Sequence, residues 1–112
     1  MPPIDPAAIA RLRRFGGDAL LFEMIDLLLV GAPQRLEAAH SGDLDRARAA
    51  LHSLKSTAGQ LGAAGVQALC EEGERAAGAG DAPGVAALLP RLDAEFEAAR
   101  RALSAIREGG AA

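Results

Sequence analysis

In LHSLKSTAGQLGA, residues 51–63, an imidazole, an ammonium and two nearly bare positions share one side of a helix. An α-helix turns about 100° per residue. Leu51, Leu54, Ala58 and Leu61 therefore form a core stripe, and His52, Lys55, Ser56 and Gly59 form a second face well round from it. Arg48, four residues before His52, lies beside that second face. His52 is expected to project into solvent, flanked by two long cations. An exposed imidazole that is neutral for much of the time near pH 7 is a good nucleophile toward an activated phosphoryl group. Lys55 and Arg48 are expected to favour the neutral ring, and Lys55 to offset an attached phosphoryl group through a charge-assisted hydrogen bond. Ser56 and Gly59 would leave the surface open to another protein's active site. Glycine inside a helix costs roughly 1 kcal/mol relative to alanine, and this chain uses alanine freely elsewhere. Close helix contact is the other reason for a bare position, but residue 59 faces away from the leucine stripe.

The elements that must hold this face read as helices throughout. Asp5-Pro6 is a helix start, with Asp as N-cap and Pro at the first helical position. Ile9 and Leu12 give that short helix an apolar side, and Phe15-Gly16-Gly17 ends it. Asp18 can cap the next helix, expected over about residues 19–40. Phe22, Ile25, Leu29, Ala32, Leu36 and Ala39 form its stripe, while Leu20, Leu21, Leu27 and Leu28 lie off it. That half of the helix is apolar nearly all round, so the N-terminal helix, another protein, or both must cover it. Pro33 predicts a kink rather than a stop. After the turn His40-Ser41-Gly42-Asp43, the His52 helix is expected from about residue 43 to about residue 61, ended by Gly62. A further helix carries Val66, Leu69, Cys70 and Gly73 and closes at Gly78-Ala79-Gly80; Asp81 caps the last, with Val85, Leu88, Leu89, Leu92, Phe96, Ala99, Leu103 and Ile106 on its stripe. Short connections make neighbouring helices antiparallel. The expected fold is all-α: an up-and-down antiparallel four-helix bundle with a short N-terminal covering helix. It forms one domain over residues 1–112, with a core at about 5–107 and a frayed EGGAA tail.

Composition agrees and excludes. Half of the 112 residues are hydrophobic but only 3% are aromatic, with three Phe and no Trp or Tyr. Such a core is built from Leu, Ala, Ile and Val, and good helix formers dominate it. A net charge of −3 argues against nucleic acid as a partner. One cysteine cannot form an internal disulfide and fits a reducing compartment. MPPIDPAAIARLRR lacks the basic-then-apolar order of a secretory signal, and runs such as LLLV at 27–30 are too short to span a bilayer. A cytoplasmic protein with no membrane association is expected.

His52, Ser53, Leu54, Lys55, Ser56, Thr57, Ala58, Gly59, Gln60, Leu61 and Gly62 resemble the signature of histidine-containing phosphotransfer domains. In that family the pattern is His, any residue, Leu, Lys, Gly, two small residues, two variable ones, an aliphatic and Gly. Ser56 is the one departure, a small residue where the family has Gly. The resemblance extends to IDPAAIARLRRFGGD, to APQRL, to the SGD turn, to LC in the following helix and to GD with LLPRL in the last. It implies a phosphocarrier rather than an enzyme with kinase activity of its own. His52 would accept a phosphoryl group from a receiver-domain aspartyl phosphate and pass it to another receiver. Lys55 would stabilise the phosphoryl group, and Arg48, Ser56 and Gly59 would belong to the receiver docking face. The implied partners are receiver domains of a hybrid histidine kinase and of a response regulator. No cofactor or metal is expected on this chain, since it has neither a phosphate-binding glycine loop nor a spaced carboxylate cluster; Mg²⁺ would sit on the receiver.

Two other functions compete with this one. A helical adaptor could bind a signalling partner without phosphotransfer, but it would need neither His52 nor Lys55. A metal- or cofactor-binding bundle needs inward-facing Glu and His, whereas His52 faces outward. Of the remaining candidates, His40 reads as a helix-end residue, Cys70 as a small core residue, and Glu71, Glu72 and Glu74 as a solvated face. A monomer is expected.

Overall fold

Helix-forming composition and local capping place four helical elements in the computed structural model, which describes residues 2–109. They are α1 (Pro6–Ala39), α2 (Leu44–Gln60), α3 (Ala64–Gly78) and α4 (Ala82–Gly109). Consecutive helices pack together, and α1 also packs on α4, which closes the bundle. No helix among the described residues is long and apolar enough to cross a membrane.

The caps follow the sequence. The Asp5 side chain accepts from the Ala7 N–H and Pro6 opens α1; Asp43 accepts from the N–H groups of Asp45 and Arg46 at the start of α2. Asp81 accepts from the Gly84 N–H at the start of α4. Within α1 the helix breaks at Gly16-Gly17, where Gly17 takes φ 68°, ψ −166°, a conformation open to glycine and strained for other residues. The short helix and the longer one expected from the sequence are thus the two arms of α1. Asp18 does not serve as the expected cap; its carboxylate accepts from Arg13 Nε across the break at 2.9 Å. The expected kink at Pro33 is absent as a dihedral break: the non-helical angles of α1 fall only at the two glycines. Glu108 and Gly109 close α4, and the rest of the EGGAA tail lies outside the described residues.

The N-terminal arm caps the end of the bundle. The Asp5 N–H donates to the Gly62 carbonyl at 2.9 Å. Gly62 has φ 77°, and a Cβ there would fall 2.7 Å from that of Ala8. Only glycine both turns the chain after α2 and admits the arm. Ile4 and Ile9 are buried beneath it.

One apolar core runs from Ile4 to Leu103. Its innermost α1 residues include Leu21 and Leu28, which were expected off the stripe, whereas Phe22, Leu29 and Leu36 are only partly buried. A bundle helix packs against two neighbours, so its buried arc is wider than a single three-four stripe and is centred by both contacts. Leu27 and Val30 stay exposed, at 58% and 79%. Gly73 lies where three helices meet, since a Cβ on it would fall 2.8 Å from Leu51 Cδ1 and 3.3 Å from Leu88 Cδ1.

Candidate functional site

Burial of Leu51, Leu54 and Ala58 on α2 turns His52 outward, and its side chain is 66% exposed. The ring is nevertheless held. Its Nδ1–H donates to Glu74 Oε2 at 2.6 Å, and Lys55 Nζ donates to Glu74 Oε1 at 2.6 Å. Glu74 thus bridges the two residues singled out in the sequence. The bridging oxygens sit behind the imidazole, with the Glu74 side chain only 19% exposed.

The surroundings of His52 therefore differ from the purely cationic ones expected. A carboxylate lies between ring and ammonium, and Glu74 is no part of a solvated face. Hydrogen bonding from Lys55, with a smaller contribution from His52, holds its carboxyl below the ordinary range against the opposing effect of burial. A signal for Glu74 did exist in the sequence. The α2–α3 hairpin folds about Ala63, and residues equidistant from it face one another: His52 with Glu74, Gly59 with Gln67, Arg48 with Gly78. Fixing that register requires the tight Gly62 turn, and composition alone made the acidic run look solvated.

The other candidates are spread around this pair. Arg48 is exposed and lies against Gly78, at the far end of α3, rather than in the bridge. Ser56 is exposed and lines a groove with Lys55, Gly59, Gln67, Met24 and Phe15. Gly59 is partly buried, and a Cβ there would fall 2.8 Å from the Gln67 amide. Its bareness makes room for α3 as well as opening the groove, so close helix contact accounts for part of it. Ser53, beside His52, accepts from Arg35 Nε at 2.7 Å, which ties α2 to α1.

His40 and Cys70 are structural. The His40 backbone closes α1, and its Nε2 lies 2.9 Å from Asp93 on α4. Glu37 and His40 form a Glu-x-x-His spacing, yet both are exposed at the end of α1, so they do not form the inward-facing pair of a metal-binding bundle. Cys70 is fully buried, and burial pushes its thiol up to about 12.

The family model of the Hpt domain matches residues 23–102, a stretch that includes His52, Lys55 and Glu74. This chain belongs to the Hpt domain family. The match starts within the second arm of α1, so the capping arm lies outside it. The Hpt fold is also that of the crystal structure of histidine-containing phosphotransfer protein B from Pseudomonas aeruginosa PAO1. That structure superposes with a TM-score of 0.86 at 25% identity, over 96% of each chain. No curated protein matches the chain. As an Hpt domain the chain is a phosphocarrier with a histidine phosphotransfer function in phosphorelays, and Hpt proteins work with receiver domains of two-component systems.

Proposed function

We propose that His52 is the residue that carries the phosphoryl group, taking it from an aspartyl phosphate on one receiver domain and giving it to the aspartate of another. The observation that carries this reading is the outward imidazole with a half-buried carboxylate behind it and Lys55 alongside. A nucleophile held rigidly at the surface suits a reaction whose other half arrives on another protein. In the transfer, His52 supplies the lone pair that forms the N–P bond. The P–O bond to the receiver's aspartate breaks, and its electron pair stays on that carboxylate.

Lys55 stabilises the phosphoryl group. An ammonium has three N–H donors; Glu74 takes one, and the others remain for phosphoryl oxygens. Arg48 adds positive charge one turn away, and Ser56 and Gly59 leave room for the rim of the receiver's site. Leu27 and Val30 on α1 are exposed and line a separate groove with Phe22, Asp26 and Arg107, a second surface suited to contact with a partner. The receiver brings the aspartate and its Mg²⁺, so this chain needs no cofactor and has no kinase activity of its own. It acts as a cytoplasmic monomer between the receiver of a hybrid histidine kinase and that of a response regulator.

The experiment offers the purified protein a panel of phosphorylated receiver domains, with intact mass as readout and His52→Gln in parallel. The expected result is one added phosphoryl group, acid-labile and alkali-stable, that is absent in the variant. The variant should melt within about 0.5 kcal/mol of the wild type, as exposed positions do. A folded protein that takes nothing from any receiver would replace this reading with that of a binding adaptor.

A further inference from the structure

We propose that Arg35 is a receiver-recognition residue: seated beside His52 by Ser53, its guanidinium takes a carboxylate of the incoming receiver domain. This rests on the reading of His52 as the phosphoryl carrier and adds a charged contact from α1 that helps decide which receiver binds.

Gly31 gives the first sign of this seat. Glycine inside a helix weakens it, yet a Cβ at residue 31 would overlap the Arg35 guanidinium. The bare position lets Arg35, one turn on, lie back across the surface of α1. There its Nε donates to Ser53 Oγ on α2 at 2.7 Å, and both residues are half-buried. Ser53 adjoins His52. Helical geometry sets it about 100° to one side of the histidine, with Lys55 about 60° to the other. The contacts agree, since Lys55 meets Glu74 on α3 and Ser53 meets Arg35 on α1. A cation is thus anchored on each flank of the histidine.

The two cations are not equivalent. Lys55 shares a carboxylate of its own chain, whereas among the described residues Arg35 has none. Arg13, Arg75, Arg91, Arg100, Arg101 and Arg107 are each paired with an aspartate or glutamate. Arg35 lines the groove that holds Leu27 and Val30, and there Asp26 is taken by Arg107. The other acid of that groove, Glu23, lies about three turns away along α1. With Nε committed to Ser53, the two Nη groups offer the planar fork that matches a carboxylate. A receiver that holds Mg²⁺ does so with carboxylates, so an acidic surface is what descends on His52. Arg35 also joins two surfaces. It touches Ser53 beside His52 and borders the exposed Leu27 and Val30, so one partner can cover both.

The test compares two phosphoryl donors. One is a phosphorylated receiver domain. The other is phosphoramidate, whose P–N bond breaks with ammonia leaving and which has no protein surface to recognise. Arg35→Gln should raise the KM for the receiver by about tenfold, as loss of an arginine anchor at an interface does, and leave kcat within about twofold. The difference should shrink as salt is raised. Phosphoramidate should label His52 in the variant at the wild-type rate. Ser53→Ala keeps the charge but releases it from its seat, and should raise KM by a smaller factor, roughly threefold. An Arg35→Gln protein that keeps the wild-type KM overturns the proposal, as does a Ser53→Ala protein that keeps it. Equal slowing with both donors overturns it too, because Arg35 would then act on His52 or on the fold. A wild type that neither donor labels would refute the carrier reading, and this proposal with it.

Discussion

His52 on α2 and Glu74 on α3 stand equidistant in sequence from Ala63, and their side chains meet at 2.6 Å. The hairpin that joins the two helices therefore also assembles the site. A shift of one residue in its register would turn Glu74 about 100° away from the ring, so packing along this hairpin bears directly on the chemistry.

Lys55→Ala should slow phosphoryl transfer or shorten the phosphohistidine lifetime by roughly 10- to 100-fold without abolishing labelling. That range corresponds to the 1.5–3 kcal/mol of a hydrogen bond to a charged group. Stopped-flow acceptance and decay of the acid-labile mass increment measure the two effects. Unchanged kinetics would remove Lys55 from the mechanism.

Replacing Leu27 and Val30 together by Asp should weaken receiver binding by about tenfold or more while leaving the melting temperature nearly unchanged. Both residues are exposed, so their loss removes little core, and charge is costly in the apolar part of an interface. Calorimetric titration with an unphosphorylated receiver reads the effect. Full affinity in the double variant would place docking elsewhere.

Leu54 is 1% exposed and lies on the α2 face away from His52. Leu54→Ala should cost about 2–5 kcal/mol, the range for emptying a packed core position. Gly73→Ala should also destabilise, by about 1–3 kcal/mol, because the new methyl would sit 2.8 Å from Leu51 Cδ1. Urea unfolding followed by circular dichroism checks both. At temperatures where the variants remain folded, labelling of His52 should persist in Leu54→Ala. It should suffer more in Gly73→Ala, which displaces the neighbour of Glu74.

Cys70 should resist thiol reagents at neutral pH until the bundle opens, since it is fully buried and its thiol lies near 12. The pH dependence has a definite sign. A thiol raised in the folded state holds its proton more tightly there than in the unfolded chain. Its contribution to stability is complete below about 9 and is lost as pH climbs toward about 12. Cys70→Ser should flatten that alkaline decline. Rapid modification of the native protein at pH 7 would contradict the burial.

Much of the architecture is legible residue by residue. Asp5-Pro6, Asp43 and Asp81 start helices because a short carboxylate can satisfy otherwise unpaired N–H groups. Gly62 ends α2 because few other residues tolerate its backbone angles. The outward direction of His52 follows from Leu51, Leu54 and Ala58, since helical geometry ties each residue's direction to its near neighbours. Where the expectations about burial and packing failed, a second helix was involved. Leu21 and Leu28 moved inside and Phe22 to the flank because α1 is wedged between α2 and α4. Gly59 proved to be shared between groove and packing because Gln67 lies over it.

The sequence by itself determined where the helices start and stop and which side of α2 carries the histidine, because capping and periodicity act within a few residues of one another. Only the tertiary structure decided that a carboxylate from α3 stands behind the imidazole and shares itself with Lys55. That contact depends on the antiparallel register of two helices, which is fixed by the fit of side chains along the whole hairpin rather than by any residue near His52.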